Sequence, residues 1–240
     1  MKKLLAALGI LTISFFWANT AHAEFHPPGT NINSNGTVYY IQPPLIGGAM
    51  PIDPPKPTLR PYFSAPVFLS YGFNSWNSIV PASSDDLSLE KNAWPMSYAD
   101  GSLVNDKGTV YIISTGFKYP ITSAAVFLGL GYRWENVING DVSFMAEDKS
   151  NDTPLQVISE VRAHMPGTLI NQNGTIYFIT SLHSKMGFPS MEVFNSWGFR
   201  LGQVVPSNDQ DKTVPDNQYS PIVVPWIPGK LSPDVGPLPV

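Results

Sequence analysis

The chain has 240 residues, a formal charge of −4 and only 13% charged residues, so no basic stripe is available to neutralise phosphates, which argues against a nucleic-acid partner. It contains no cysteine, which removes disulfides, thiolate metal sites and cysteine nucleophiles together. Aromatic residues at 12%, with 19 glycines and 24 prolines, point to short strands and many turns instead of a helical bundle or a disordered acidic tail.

From the N-terminus, Lys2 and Lys3 precede an apolar run, Leu4 to Trp17, and Ala21-His22-Ala23 supplies small residues at the two positions a signal peptidase reads. Residues 1–23 therefore read as a signal peptide cleaved after Ala23; the run is short for a membrane span, which needs about 20 residues. Export to the periplasm, cell surface or medium is the expectation, with no transmembrane segment after signal removal. The mature chain then carries 12 basic and 18 acidic side chains, a formal charge of −6.

Three stretches match one another: Gly29 to Ile41, Gly101 to Ile113 and Gly167 to Ile179. All keep Asn at the fifth place, Gly-Thr at the eighth and ninth and Tyr at the eleventh. The match continues through Val67-Phe68, Val126-Phe127 and Val193-Phe194 to Gly72, Gly131 and Gly198. Periodic self-similarity signals a repeat architecture, in which one unit cannot bury its apolar side alone and packs on the next. Repeat 1 spans 24–100 with a proline-rich insertion at 42–61, repeat 2 spans 101–166, repeat 3 spans 167–208, and 209–240 is a proline-rich tail. The pattern G-[ST]-x-[IV]…G-T-[VI]-Y-x-I…V-F-x-x-x-G-[FY] resembles an uncharacterised tandem repeat of secreted and surface bacterial proteins. That resemblance implies a surface location and a non-catalytic role, and brings no catalytic or ligand residues with it.

Asn35-Gly36 and Asn173-Gly174 are hairpin turns, since Asn and Gly tolerate positive φ; Lys107-Gly108 keeps the Gly. Thr115-Gly116 turns the chain into a third strand. A short helix follows, capped by Ser190 and stopped by Gly198 in repeat 3. An α+β fold of three packed units results, each of three short strands and a short helix. Repeat 2 carries an additional predicted helix over about 153–165: Thr153 caps it, Pro154 and Gln156 complete its first turn, and Leu155, Ile158, Val161 and Met165 share a face.

Chemistry is sparse. No G-x-S-x-G elbow or H-E-x-x-H helix occurs, His26, His164 and His183 have no second His at metal-ligand spacing, and no metal or cofactor is expected. Asp209-Gln-Asp211 lacks the Gly and Glu of a calcium loop. Recurrence assigns Tyr39, Tyr111, Tyr177 and the aligned Trp76, Trp134 and Leu201 to the core. Trp94, outside the repeat pattern, and Trp197, at a position that varies between copies, are the candidate binding residues. The expected function is a non-catalytic exported protein that binds a cell-wall glycan or another envelope protein. The alternatives are an assembly module of the envelope and a hydrolase with an unrecognised carboxylate pair.

Overall fold

The computed structural model describes residues 25–44, 56–146, 157–228 and 230–233; the signal peptide, its cleavage site and the centre of the proline-rich insertion lie outside these. The described chain holds three similar four-stranded sheets, each with one short helix. In the first unit β1 (Asn31–Ser34) and β2 (Thr37–Gln42) form the hairpin, β3 (Thr58–Pro61) extends it, and α1 (Ala65–Ser70) follows, then β4 (Ile79–Pro81). The second unit repeats this with β5 (Leu103–Asp106), β6 (Thr109–Ser114), β7 (Phe117–Pro120), α2 (Ala124–Gly129) and β8 (Val137–Asn139). The third uses β9 (Leu169–Gln172), β10 (Thr175–Ile179), β11 (Lys185–Gly187), α3 (Met191–Ser196) and β12 (Val205–Pro206).

Local chemistry explains the conserved letters. Both residues of each hairpin turn have positive φ: 51° and 84° at Asn35-Gly36, 51° and 91° at Lys107-Gly108, 54° and 87° at Asn173-Gly174. The invariant fifth-place Asn closes that turn, because the Oδ1 atoms of Asn33, Asn105 and Asn171 accept from the glycine N–H three residues on, at 2.9, 3.0 and 2.9 Å. Each helix starts on a serine whose Oγ accepts from the N–H of Val67, Val126 or Val193. Six-residue helices are too short to persist alone; buried Phe68, Phe127 and Phe194 hold them to their sheets.

Three features depart from the sequence reading. A fourth strand closes each sheet, since β4, β8 and β12 return parallel to β1, β5 and β9 at the sheet edge. The unit-one third strand, Thr58–Pro61, falls within the stretch assigned to the insertion. The additional predicted helix is also corrected. Residues 153–156 lie outside the described chain, and 157–165 are not helical. Ile158 instead bridges Ile121, its N–H donating to the Pro120 carbonyl and its carbonyl accepting from Thr122. The apolar spacing served separate contacts: Ile158 and Met165 are buried while Val161 is exposed.

The sheets stack head to tail. One face of each sheet carries its own helix, and the other face of the second and third sheets receives the helix layer of the unit before. Thus Tyr40, Val67, Phe68 and Tyr71 of unit one pack with Val104 and Ile113 of unit two. One step on, Ile112, Phe127, Leu130 and Tyr132 of unit two pack with Ile170, Ile179 and Val205 of unit three. The unit-three helix layer, with Phe178, Phe194 and Trp197, meets Val223 and Trp226 of the tail. Among the described residues the tail therefore takes the place of a fourth unit. The stack curls enough for units one and three to touch, with the Gly72 and Gly198 backbones in contact, and Phe73 stacks on Trp226 of the tail at 4.9 Å. Gly101 and Gly167 meet backbone to backbone, leaving no room for a side-chain carbon on either.

Candidate binding surface

Three 3-10 turns, Trp76–Ser78, Trp134–Asn136 and Leu201–Gln203, sit between helix and fourth strand at equivalent places. The indoles of Trp76 and Trp134 are not core as their recurrence suggested: each is 50% exposed. Each lies flat on the buried phenylalanine of its own helix, Trp76 on Phe68 at 4.6 Å and Trp134 on Phe127 at 4.0 Å. One ring face is thus spent on packing and the other is offered to solvent in a fixed orientation. Beside Trp76, the hairpin turn and β4 form an open groove of about 540 Å³ lined by Asn33, Asn35, Gly36, Ile79, Val80 and Pro81. None of those groove residues is ionisable. Pro81 and Pro206 blunt the edge strands against pairing with another sheet.

Trp94 is 78% exposed. It projects from a turn in which its N–H donates to Asn92 Oδ1, and Arg60 holds the turn through the Trp94 and Pro95 carbonyls. Tyr219 occupies the equivalent turn in the tail after unit three, its N–H donating to Asn217 Oδ1, and is equally exposed. Trp197 behaves in the opposite way to the expectation. It is buried, and its Nε1–H donates to the Val224 carbonyl at 2.9 Å. The variable position before the last helix glycine proves to anchor the segment that leaves each unit. Tyr71 Oη donates to the Ser97 carbonyl, and the Leu130 carbonyl accepts from His164. Trp197 is thus a tail anchor and cannot present its ring to a ligand.

The recurrent tyrosines are half-buried at the seams, each under an ammonium: Lys91 over Tyr39, Lys118 over Tyr111 and Lys185 over Tyr177, at 5.6, 5.7 and 5.3 Å. Each ammonium and its ring belong to the same unit.

Two histidine–aspartate pairs escaped the sequence reading. His26 Nδ1 meets Asp86 Oδ2 and His164 Nδ1 meets Asp211 Oδ2, both at 2.7 Å, and each aspartate also accepts the histidine's own backbone N–H. Both histidines lie three residues before a repeat glycine, and both aspartates follow Ser83 or Asn208 in reciprocal turn hydrogen bonds. Burial opposes the charge on Asp86 and Asp211, yet the N–H donors outweigh it and hold both carboxyls below the usual carboxylate range. In the second unit Tyr98 and Phe144 occupy these two places, with ring centroids 6.4 Å apart. Asp211 is accordingly a structural hydrogen-bond acceptor. Among the described residues no cluster of three or more His, Asp or Glu is placed to hold a metal ion.

A second cleft, about 460 Å³, lies where the three units meet, with Arg60, Asp100, Glu135 and Arg200 on its walls. Asp100 is tied to the Gly116 N–H and Glu135 lies 3.9 Å from Arg133. Among the described residues no helix is long and apolar enough to cross a membrane.

No protein-family model matches the chain, and no curated protein does. Among solved structures it is similar to a chain of the periplasmic assembly from the ESX-5 inner membrane complex, at 14% identity over 82% of this chain. The chain spans 64% of that one, and the TM-score is 0.16, too low for the likeness to bear on fold or function.

Proposed function

We propose that this is an exported, non-catalytic repeat protein that binds a neutral cell-envelope glycan through the outward faces of Trp76 and Trp134. The observation that carries this reading is the repeated indole shelf, one face on a core phenylalanine and the other in solvent, at the same place in two consecutive units. A rigid aromatic plane receives the apolar face of a sugar ring at little entropic cost. The amides of Asn33 and Asn35 beside Trp76 supply hydrogen-bonding groups for hydroxyls, and the uncharged groove suits a neutral polymer. Spacing of one unit between shelves suits a chain-like ligand, because two weak contacts joined by one polymer gain avidity. Trp94, on its separate turn, serves as an additional exposed contact.

A protein partner is the second reading, and one observation favours it. Tyr219, Ile222, Val224 and Ile227 are all exposed along the segment that caps unit three, a run of apolar side chains of the kind that marks protein contacts. Pull-down of the full chain on insoluble peptidoglycan and on immobilised neutral polysaccharides tests the first reading. Retention should fall by about tenfold per indole in Trp76→Ala and Trp134→Ala, matching roughly 1.4 kcal/mol for each stacked ring. No retention of the wild-type chain, or retention indifferent to both substitutions, would contradict it.

A further inference from the structure

The pair in unit three differs from its twin in unit one by a second contact. Besides Asp211, the His164 ring reaches the Leu130 carbonyl of the preceding unit, Nε2 to oxygen at 2.7 Å. Both the His164 and the Asp211 side chains are fully buried, whereas the His26 side chain is 35% exposed. Asp211 Oδ1 accepts from the His164 backbone N–H, and Oδ2 accepts from the Asn208 N–H and the ring. Two backbone N–H donors converge on that carboxyl, one on each oxygen, which marks it as the ionised acceptor. Nδ1 must then carry a proton, and so must Nε2, because a carbonyl oxygen can only accept. An imidazole with a proton on both nitrogens is a cation.

We infer that His164 is a buried imidazolium that clasps unit three to the helix end of unit two, and that the seam between these units loosens when alkali removes its proton. The titratable groups facing the ring come from both sides of the seam. Asp211, on the 3-10 turn Asp211–Thr213, holds its negative charge throughout the range concerned. Tyr132 meets the imidazole edge to face at 5.6 Å; burial pushes its hydroxyl up to about 12, so it stays neutral. Asp209 and Lys212 pair with each other in solvent on the same turn. Loss of the ring proton leaves an unpaired carboxylate or two acceptors facing each other, on side chains with no surface exposed to solvent. The sign follows from linkage: stability that depends on a bound proton is complete at low pH and drains away as that proton leaves. At the acid end the pair persists, since the Asp211 carboxyl titrates below the usual carboxylate range.

The second unit supplies a natural control, because its Tyr98–Phe144 pair fills the same place without charge, and Gly140 clears room for the Tyr98 hydroxyl. The corresponding variant is His164→Tyr with Ser207→Gly and Asp211→Phe. All measurements use the full chain with His26→Gln, so that the half-exposed twin does not contribute. Ring nitrogen chemical shifts at about pH 7 should show His164 doubly protonated, and raising the pH to about 9 should lower the melting temperature by roughly 5 °C, a change typical of one lost buried interaction. The triple variant should show none of that fall. A neutral His164 ring at pH 7, or an equal alkaline fall in the triple variant, would overturn the inference. Should the variant fail to fold, the nitrogen shifts decide alone.

Discussion

The second and third units present the same backbone slot with opposite contents. Three residues before Gly101 stands Tyr98, facing Phe144; three residues before Gly167 stands His164, facing Asp211. The aromatic pair fills space and relies on area removed from water. The ionic pair gives up part of that gain to desolvation and recovers it only with every polar atom matched, which it achieves through Asn208, Leu130 and the His164 backbone. A repeat position can therefore be conserved in geometry while its chemistry inverts, provided the neighbours change with it. Gly140 shows that coupling: the other units have Ala82 and Ser207 where the Tyr98 hydroxyl excludes any side chain.

The comparison breaks first at the backbone the two units share. Gly101→Ala should abolish folding or cost about 4 kcal/mol or more, because φ is +84° and the new carbon would overlap the Gly167 carbonyl. Gly108→Ala has φ of +91° but open space around it, and should cost only about 1 kcal/mol in urea melts. A second break exchanges the chemistry one residue at a time. Asp211→Asn leaves the His164 cation buried without its counter-charge and should cost roughly 3–5 kcal/mol; Phe144→Asp puts a carboxylate without a cation at a half-buried place and should cost less. Adding Tyr98→His to Phe144→Asp should recover part of that loss, measured as a coupling energy in a double-mutant cycle. Asp86→Asn should cost less than Asp211→Asn, since His26 is partly solvated.

Much of the unit was legible because its signals are local. Turn glycines, the helix-capping serines and the Val-Phe anchors act within a few residues, and their spacing recurs three times. What escaped depends on distant partners or on very short elements. Strands of two or three residues, such as Val205–Pro206, exist only because a longer strand lies beside them. The His–Asp pairs join residues 60 and 47 positions apart, and the second copy lacks them. Apolar spacing over 155–165 mimicked a helix although Ile158 was completing the edge of β7. Recurrence misled at Trp76 and Trp134, because a position can repeat for being a shelf as readily as for being core. Variation misled at Trp197, where each unit anchors its exit segment with a different group: the Tyr71 hydroxyl, the Leu130 carbonyl and the Trp197 indole.

Everything rests on three equivalent sheets that need one another's helices. The backbone amides of Ile41, Ile113 and Ile179 report this directly, since each donates to the matching carbonyl of Thr30, Ser102 or Thr168 at 2.9, 2.9 and 3.0 Å. Native-state hydrogen exchange at neutral pH should give all three the same opening free energy, falling together with added denaturant as one cooperative unit. If Ile179 exchanged through an opening that left Ile41 and Ile113 protected, the units would be independent and the interlocked stack would be contradicted.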